Sequence, residues 1–270
     1  MITRLDLTGS EGNLVAHRWD PTSEPVRIVV LVHGYAEHGR RYAHVADALT
    51  VAGAVVYAPD HLGHGLSDGN RALIDDFEHV VDDLATVVDV AEGAHPGLPV
   101  VMIGHSMGGL LTGRFAQRHR GRLAGAGFLG AVIGDWEWAR EVLALPELPP
   151  ADSDPSGMSR DAEACREYAE DPLVYHGTYH RRLLEAEVEC LDRYATEVDR
   201  LDLPVLFLHG SDDPFVPWQT SQAAVEAMPS DDKELHVYDG ARHELVNETN
   251  RDEIIERIVA WVARVTGAVV

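Results

Sequence analysis

The stretch Pro99-Val100-Val101-Met102-Ile103-Gly104-His105-Ser106-Met107-Gly108-Gly109 decides the fold of this chain. Its first five residues form a short apolar run typical of a buried strand, and residues 107–118 have a helical pattern. The Gly-x-Ser-x-Gly motif between them therefore has the strand–turn–helix context of a strained turn at a sheet edge. The two flanking glycines provide the room that so tight a turn needs. We interpret Ser106 as a nucleophile, because the context argues against a chance match in a chain with 24 glycines.

Short apolar runs alternate with helical patterns on both sides of this motif. The pattern predicts an antiparallel hairpin at 5–7 and 14–19, further strands at 26–32, 54–58, 99–103, 123–129, 205–208 and 234–238, and helices at 41–51, 77–91, 107–118, 219–227 and 253–265. Such alternation is typical of an α/β fold, here a mostly parallel eight-stranded sheet with helices on both faces. Right-handed crossovers then place the carboxyl ends of the parallel strands on one edge, where ligand sites form.

The alternation stops in the middle of the chain. Residues 134–198 contain tryptophans and a proline-rich turn but no strand pattern. We predict that residues 1–133 and 199–270 form one core, and that residues 134–198 form a cap or lid inserted over its ligand-binding edge. Within the 77–91 helix, Asp82, Asp83 and Asp89 are expected on the solvent side.

The composition excludes several classes of function. Against 45 Asp and Glu there are only 22 Lys and Arg, so the net charge is −23, which disfavours binding to nucleic acid or docking on anionic lipid. Two cysteines, Cys165 and Cys190, are too few for a disulfide framework, and no metal-ligand spacing or cofactor motif is present. Neither a signal peptide nor a bilayer-length apolar run is evident, so we expect a cytoplasmic enzyme without metal or cofactor.

A serine nucleophile needs a base, usually histidine, which a carboxylate holds in place. In strand–turn–helix enzymes of this type the chain order is serine, acid, histidine. His243 follows the last predicted strand, in a loop that ends on the ligand-binding edge. The acid should follow the preceding strand, where Asp212 and Asp213 are both candidates. The pattern alone does not choose between them.

Two backbone N–H groups must meet the oxyanion that forms during ester attack. One belongs to the residue after the nucleophile, Met107, and the other to the loop after the early strand 26–32, here Tyr35. The alternative for this His33-Gly34-Tyr35 stretch is an ordinary turn at the end of a strand.

Several stretches of the chain resemble the monoacylglycerol lipases of the α/β-hydrolase superfamily, in the group that also includes lysophospholipase-like enzymes. The resemblance covers nearly the whole chain and rests on residues 33–42, 60–68, 104–109, 159–161, 168–173, 209–213 and 243–245. It implies an α/β-hydrolase fold with an inserted cap. It also implies a triad of Ser106, Asp213 and His243, and so favours Asp213 over its neighbour.

The resemblance further implies a polar pocket for a glycerol head group at Glu37, Arg41, His105 and Tyr168. A diol needs several hydrogen-bonding partners, and a site built for hydroxyls rejects substrates that lack them. Each residue also has a structural alternative. Glu37 and Arg41 could form a surface ion pair, His105 could be a satisfied core residue, and Tyr168 could simply pack.

The cap is where the chain departs from the family. The apolar segment after the sixth strand is compressed to residues 135–145. Trp136, Leu143 and Leu145 could line an acyl tunnel or touch lipid, but we favour packing of the cap on the core. At most a transient contact with a membrane surface is expected.

The substrate implied by the resemblance is a small lipid ester, a monoacylglycerol, which is hydrolysed to fatty acid and glycerol through an acyl-enzyme. One alternative is a carboxylesterase or lysophospholipase that acts on another single-chain ester. A non-catalytic binding protein on the same fold would require a broken triad, and all three members are present.

Overall fold

An eight-stranded sheet runs through the described part of the chain, residues 2–150 and 154–267 of this computed structural model. Its order is β1-β2-β4-β3-β5-β6-β7-β8. Strands β1 and β2 form the predicted antiparallel hairpin, β2 pairs antiparallel with β4, and the remaining neighbours are parallel. The strands are β1 Ile2–Gly9, β2 Gly12–Trp19, β3 Arg27–Val32, β4 Ala54–Pro59, β5 Val100–His105, β6 Gly125–Leu129, β7 Val205–Gly210 and β8 Lys233–Tyr238.

Helices cover both faces of this sheet. Along β3, Val30 and Val32 pack into one apolar core with α2, α3 and α6, whereas Val29 and Leu31 pack into a second core with α1 and α8. Successive side chains of a strand point to opposite faces, so a strand buried on both faces reads as one continuous apolar run. The helices are α1 Ala43–Val51, α2 Phe77–Ala94, α3 Met107–Arg118, α4 Glu137–Ala144, α5 Ala162–Glu170, α6 Arg181–Thr196, α7 Trp218–Glu226 and α8 Arg251–Val265.

Two local expectations are wrong. The helix predicted at 41–51 begins at Ala43, because Gly39–Tyr42 forms a 3₁₀ turn before it. Asp83 is buried rather than on the solvent side of α2. Its Oδ1 accepts a hydrogen bond from the Ser10 backbone N–H at 2.6 Å, since the turn of the β1–β2 hairpin packs over this helix.

Three helices, α4, α5 and α6, lie between β6 and β7, and no strand interrupts them among the described residues of this segment. Leu183, Leu184 and Tyr194 of α6 pack into the same apolar core as Leu110 and Phe115 of α3. The described part of segment 134–198, which we predict to form a cap, is therefore packed against the helices of the core through α6. Its boundaries remain a prediction, and residues 1, 151–153 and 268–270 of the predicted segments lie outside the described ranges.

Both cysteines, Cys165 of α5 and Cys190 of α6, are free and buried. Within the described ranges, none of the helices combines the length and the apolar character that a bilayer span requires.

Candidate active site

Ser106 lies on a strained turn between β5 and α3, as the motif predicts. Its backbone has φ 53° and ψ −122°, in the left-handed half of the map that non-glycine residues rarely enter. Backbone hydrogen bonds hold it there: its N–H donates to Leu129 O at 3.0 Å, and its carbonyl accepts from Gly109 and Val132 at 2.9 and 3.2 Å. Strain of this kind persists only where the surroundings over-determine it, and it is common at active sites.

The glycines of the motif are sterically required. A Cβ on Gly104 would lie 2.0 Å from the carbonyl oxygen of Gly108, and a Cβ on Gly108 would lie 2.2 Å from the carbonyl oxygen of Val32. Both neighbours are backbone atoms of this turn or of the adjacent strand, so neither can move without shifting Ser106.

We expect Gly108→Ala to lower the free energy of unfolding by about 3 kcal/mol, since the new methyl group overlaps the backbone of β3. Gly93→Ala is the matched control, because no atom lies within 4 Å of its added Cβ and Gly93 is inside α2. It should instead stabilise the protein by about 0.5–1 kcal/mol. Urea denaturation measures both, and equal midpoints for the two variants would contradict the steric argument.

The predicted base and acid meet on the same edge of the sheet. His243 Nδ1 lies 2.7 Å from Asp213 Oδ2. The side chain of Asp213 is fully buried, and its other oxygen accepts hydrogen bonds from the backbone N–H groups of Phe215 and Val216 at 2.9 and 3.0 Å. Burial by itself would raise the pKa of Asp213, but His243 and a further hydrogen bond from His209 hold that pKa well below its usual range. The carboxylate therefore stays charged and orients the imidazole.

The structure distinguishes between the two neighbouring aspartates, only one of which can hold the base and between which the sequence pattern did not choose. Asp212 is exposed, and its carboxylate accepts a hydrogen bond from the hydroxyl of Ser211 at 3.0 Å. Only Asp213 of the pair contacts His243.

Ser106 and His243 line one cavity of about 580 Å³. Within the described residues no hydrogen bond joins the Ser106 hydroxyl to the imidazole. Since Nδ1 is held by Asp213, Nε2 is the ring nitrogen left to take a proton. In unliganded enzymes such catalytic hydrogen bonds are often long and tighten only when substrate binds.

Tyr35 and Met107 have the expected positions after β3 and at the start of α3. Among the described residues, the backbone N–H of neither one donates to a protein acceptor. The Tyr35 loop is well supported, because Gly34 N–H donates to Glu37 Oε1 at 2.7 Å and the carbonyl of Ala36 accepts from Tyr175 N–H at 2.8 Å. Two amides without a partner among the described residues thus lie beside Ser106 and on the loop after β3.

The side chains expected to bind a head group form a buried network instead of a surface ion pair. Arg41 Nε lies 3.2 Å from Glu37 Oε2, and both side chains are buried. Nη2 of Arg41 donates to both carboxylate oxygens of Glu244 at 2.8 and 2.6 Å. The guanidinium also lies over the ring of Tyr168, 4.7 Å from its centre. Glu37, Tyr168 and Glu244 all line the cavity.

His105 is held on both ring nitrogens. Nδ1 lies 3.0 Å from Glu37 Oε1, and Nε2 lies 3.2 Å from the carbonyl oxygen of His243. An ionised carboxylate and a carbonyl only accept hydrogen bonds, so this arrangement favours the imidazolium form, with a proton on both nitrogens. Burial lowers the pKa of His105, but Glu37 outweighs burial and the net shift is upward. His105 therefore ties the Glu37 loop to the backbone of His243.

The predicted cap segment contributes Trp136 to the cavity. Trp136 also packs against the core, donating Nε1–H to the carbonyl of Phe215 at 3.1 Å. Leu143 and Leu145 are not among the described lining residues, and Leu143 packs against the core, the alternative that we favoured. The reason is the phase of α4, which turns Val142 inward, whereas Leu145 follows the end of the helix and is 47% exposed.

Several residues of the site were not singled out from the sequence. His209 lies four residues before Asp213, and Glu244 follows His243 directly, but single charged residues carry no spacing signal. Glu187 had a readable signal. Leu183, Leu184, Cys190, Leu191 and Tyr194 form the buried face of α6, and Glu187 is the carboxylate that interrupts this face.

Burial raises the pKa of Glu187 to about 8, from a usual value of 4.5. The titratable groups that face it, Tyr35, Tyr179 and Cys190, have pKa values that burial also raises, so they stay neutral in this range. Between pH 4.5 and about 8 the native state holds a proton that the unfolded chain has lost. Stability is therefore lost as pH rises through this window.

We expect Glu187→Gln, which imitates the protonated acid, to remove the loss of stability that accompanies ionisation of Glu187 as pH rises. Thermal melts should show the Tm of the variant exceeding that of the unmodified protein by a margin that grows from pH 5 to pH 8, a window set by the pKa of about 8. Glu189→Gln, an exposed position on the same helix, is the control and should show a constant margin. A constant margin for Glu187→Gln would mean that Glu187 is already ionised at low pH.

A family model described as serine aminopeptidase, S33, matches residues 23–250. The chain belongs to this family. The Mycolicibacterium smegmatis protein named monoacylglycerol lipase is 34% identical over 90% of this chain and 90% of its own length. The human protein named monoglyceride lipase is 32% identical over 96% of this chain and 90% of its own length.

Among solved structures, the Paleococcus ferrophilus monoacylglycerol lipase superposes with a TM-score of 0.80 at 27% identity, over 93% of this chain and 99% of that one. The expectation of an α/β-hydrolase enzyme that resembles monoacylglycerol lipases is therefore confirmed.

Proposed function

We propose that this hydrolase cleaves monoacylglycerols to fatty acid and glycerol through an acyl-enzyme on Ser106. The observation that carries the proposal is the 2.7 Å contact between His243 Nδ1 and Asp213, in a cavity that Ser106 also lines. The relatives named as monoacylglycerol lipases support the choice of substrate.

The proposed mechanism follows from these positions. Ser106 Oγ attacks the ester carbonyl while His243 Nε2 takes its proton, and Asp213 stabilises the imidazolium that forms. The oxyanion is met by the N–H groups of Met107 and Tyr35, and one such donor is worth about 3–4 kcal/mol of barrier. His243 then returns the proton to the leaving glycerol oxygen. Water, activated by the same imidazole, releases the fatty acid.

The polar end of the cavity favours an uncharged diol over a phosphate. No Lys or Arg is among its described lining residues. Arg41 behind it is paired with Glu244, and His105 is paired with Glu37, so neither cation is left for an anionic head group. We therefore place a lysophospholipid substrate second to a monoacylglycerol.

The test of the proposed function is a panel of oleoyl esters: the mono-, di- and triacylglycerols, lysophosphatidylcholine and methyl oleate. The monoacylglycerol should have the highest kcat/KM. The second and third acyl chains of the larger glycerides have no place in a cavity of about 580 Å³. Preference for lysophosphatidylcholine, or turnover of methyl oleate alone, would contradict the proposal.

Tyr168→Phe tests the head-group pocket, because no described residue is hydrogen-bonded to the Tyr168 hydroxyl and the residue lines the cavity. We expect kcat/KM for monooleoylglycerol to fall about 5- to 10-fold relative to methyl oleate, the worth of one hydrogen bond to the diol. Tyr175 lines the same cavity, but its hydroxyl already donates to Thr178 O at 3.0 Å. Tyr175→Phe should leave the ratio of the two rates unchanged, and an equal fall in both variants would argue against a specific contact.

The same proposal includes a cytoplasmic location, which the two free, buried thiols support. Contact with a membrane surface is proposed to be transient. Trp138 is 41% exposed and Leu145 is 47% exposed, but acidic Glu137 and Glu141 lie beside them and weaken attraction to anionic lipid.

A further inference from the structure

One carboxylate in the cavity has no function in the proposed mechanism. Glu187 is 1% exposed, and its Oε2 makes no hydrogen bond to any described residue. Its neighbours on the buried face of α6, Leu183, Leu184 and Cys190, are all apolar. A buried polar group without a partner is costly, and each such group in a native structure needs an explanation.

A second unpartnered polar group lies in the same cavity. The hydroxyl of Tyr35 is buried and makes no hydrogen bond to a described residue. Tyr35 and Glu187 both line the cavity with Ser106, and they are close enough for the ionised form of Glu187 to raise the pKa of the Tyr35 phenol. An uncharged acid and a phenol can each donate and accept, so together they match one ligand oxygen.

Glu187 is separate in the fold from the proposed head-group pocket. The Glu37–Arg41–Glu244 network is built on the loops after β3 and β8, whereas Glu187 belongs to α6, which packs against α4. Tyr35 shares the loop after β3 with Glu37, but its ring stacks on that of Tyr179. Apolar Trp136, just before α4, and Val142, within α4, line the same cavity. Such surroundings suit an acyl chain.

We propose that Glu187 and Tyr35 form a polar subsite within the acyl-binding part of the cavity, which selects monoacylglycerols whose acyl chain carries a hydroxyl group. This inference rests on the proposed function and adds the substrate class. It requires only hydrogen bonds and no additional chemical step. The raised pKa of Glu187 supports it, because the protonated acid is a donor at neutral pH.

A cationic ligand is the competing occupant, since a carboxylate among aromatic rings can bind an ammonium group. The arrangement of the rings disfavours it. Tyr35 and Tyr179 stack on each other with ring centres 4.4 Å apart and planes at 14°, so each covers one face of the other. Burial also favours the uncharged form of Glu187, which leaves no negative charge for a cation.

The experiment compares octadecanoyl glycerol with a series of hydroxyoctadecanoyl glycerols in which the hydroxyl moves along the chain. The measured quantity is the ratio of kcat/KM for each hydroxylated ester to that of the plain ester. This ratio does not depend on the fraction of enzyme that is folded. We expect at least one hydroxyl position to be favoured about 5- to 10-fold, the worth of one good hydrogen bond.

Three variants and one control variant locate the effect. Glu187→Gln keeps hydrogen bonding and should keep the preference, whereas Glu187→Leu should abolish it. Tyr35→Phe should weaken the preference and leaves the backbone N–H of residue 35 in place. Glu189→Leu, on the exposed side of α6, should leave the ratio unchanged.

Equal rates for all positions in the unmodified enzyme would overturn the subsite, as would an unaltered preference in Glu187→Leu. Preference for an aminoacyl chain over the hydroxylated chains would also overturn it, in favour of a cation. Failure of the proposed function has a different signature: the unmodified enzyme would not hydrolyse plain octadecanoyl glycerol either.

Discussion

Replacing Ser106 with alanine is expected to lower kcat for monoacylglycerol hydrolysis by about 10⁴-fold or more, because no other group in the cavity replaces the attacking hydroxyl. The fold should survive. No described residue is hydrogen-bonded to the Ser106 hydroxyl, so removing this hydroxyl leaves no other group without its hydrogen-bond partner. Alanine also meets the same backbone strain at this position as serine.

Steady-state hydrolysis of monooleoylglycerol measures this effect, and a fluorophosphonate probe supplies an independent readout. The probe should label the unmodified protein at Ser106 and fail to label Ser106→Ala. A thermal melt close to that of the unmodified protein confirms folding. Substantial turnover by the folded variant would show that the ester is attacked by another group, and the proposed mechanism would then be wrong.

Replacing Asp213 with asparagine is expected to lower kcat by about 10⁴-fold, close to the loss seen when a triad carboxylate becomes an amide elsewhere. The buried carboxylate accepts from His243 Nδ1, and this hydrogen bond leaves Nε2 free to act as base. An amide can donate to Nδ1 instead, which stabilises the wrong tautomer. It also removes the negative charge that the imidazolium needs during the reaction.

Asp212→Asn is the matched control, with the same chemical change one residue away. Asp212 is exposed and contacts Ser211 rather than the imidazole. The kcat of Asp212→Asn should therefore stay within about twofold of that of the unmodified enzyme, as for most surface substitutions. Similar losses in the two variants would refute the assignment of Asp213. A large loss in Asp212→Asn alone would move the role to that residue.

The strained turn that carries Ser106 could be predicted from the sequence because all of its parts are neighbours along the chain. A buried strand, a small-residue turn and a helix follow one another in the chain, and the strain at Ser106 is set by contacts of that same segment. The placement of His243 also followed, since chain order together with parallel crossovers brings loop ends to one edge.

In the predicted cap segment, the sequence did not determine which side chains face the cavity. Trp136 lines the cavity, whereas Leu143 and Leu145 are not among its described lining residues, and the apolar sequence did not distinguish the three. Whether a side chain of a short helix points inward depends on how that helix is rotated against its neighbours. Packing of α4 against α6 sets this rotation, and those two helices are far apart in the chain.

The sequence by itself determined the strained turn at Ser106 and the alternation that builds the sheet, and it supplied the proposed nucleophile and the chain order of the proposed triad, because these depend on neighbours along the chain. Only the tertiary structure decided which aspartate reaches His243, that Glu37 and Arg41 are buried with Glu244, and that Glu187 lacks a partner. The physical reason is the same in each case. Burial, charge pairing and hydrogen-bond satisfaction depend on residues brought together from distant segments, and no local pattern specifies them.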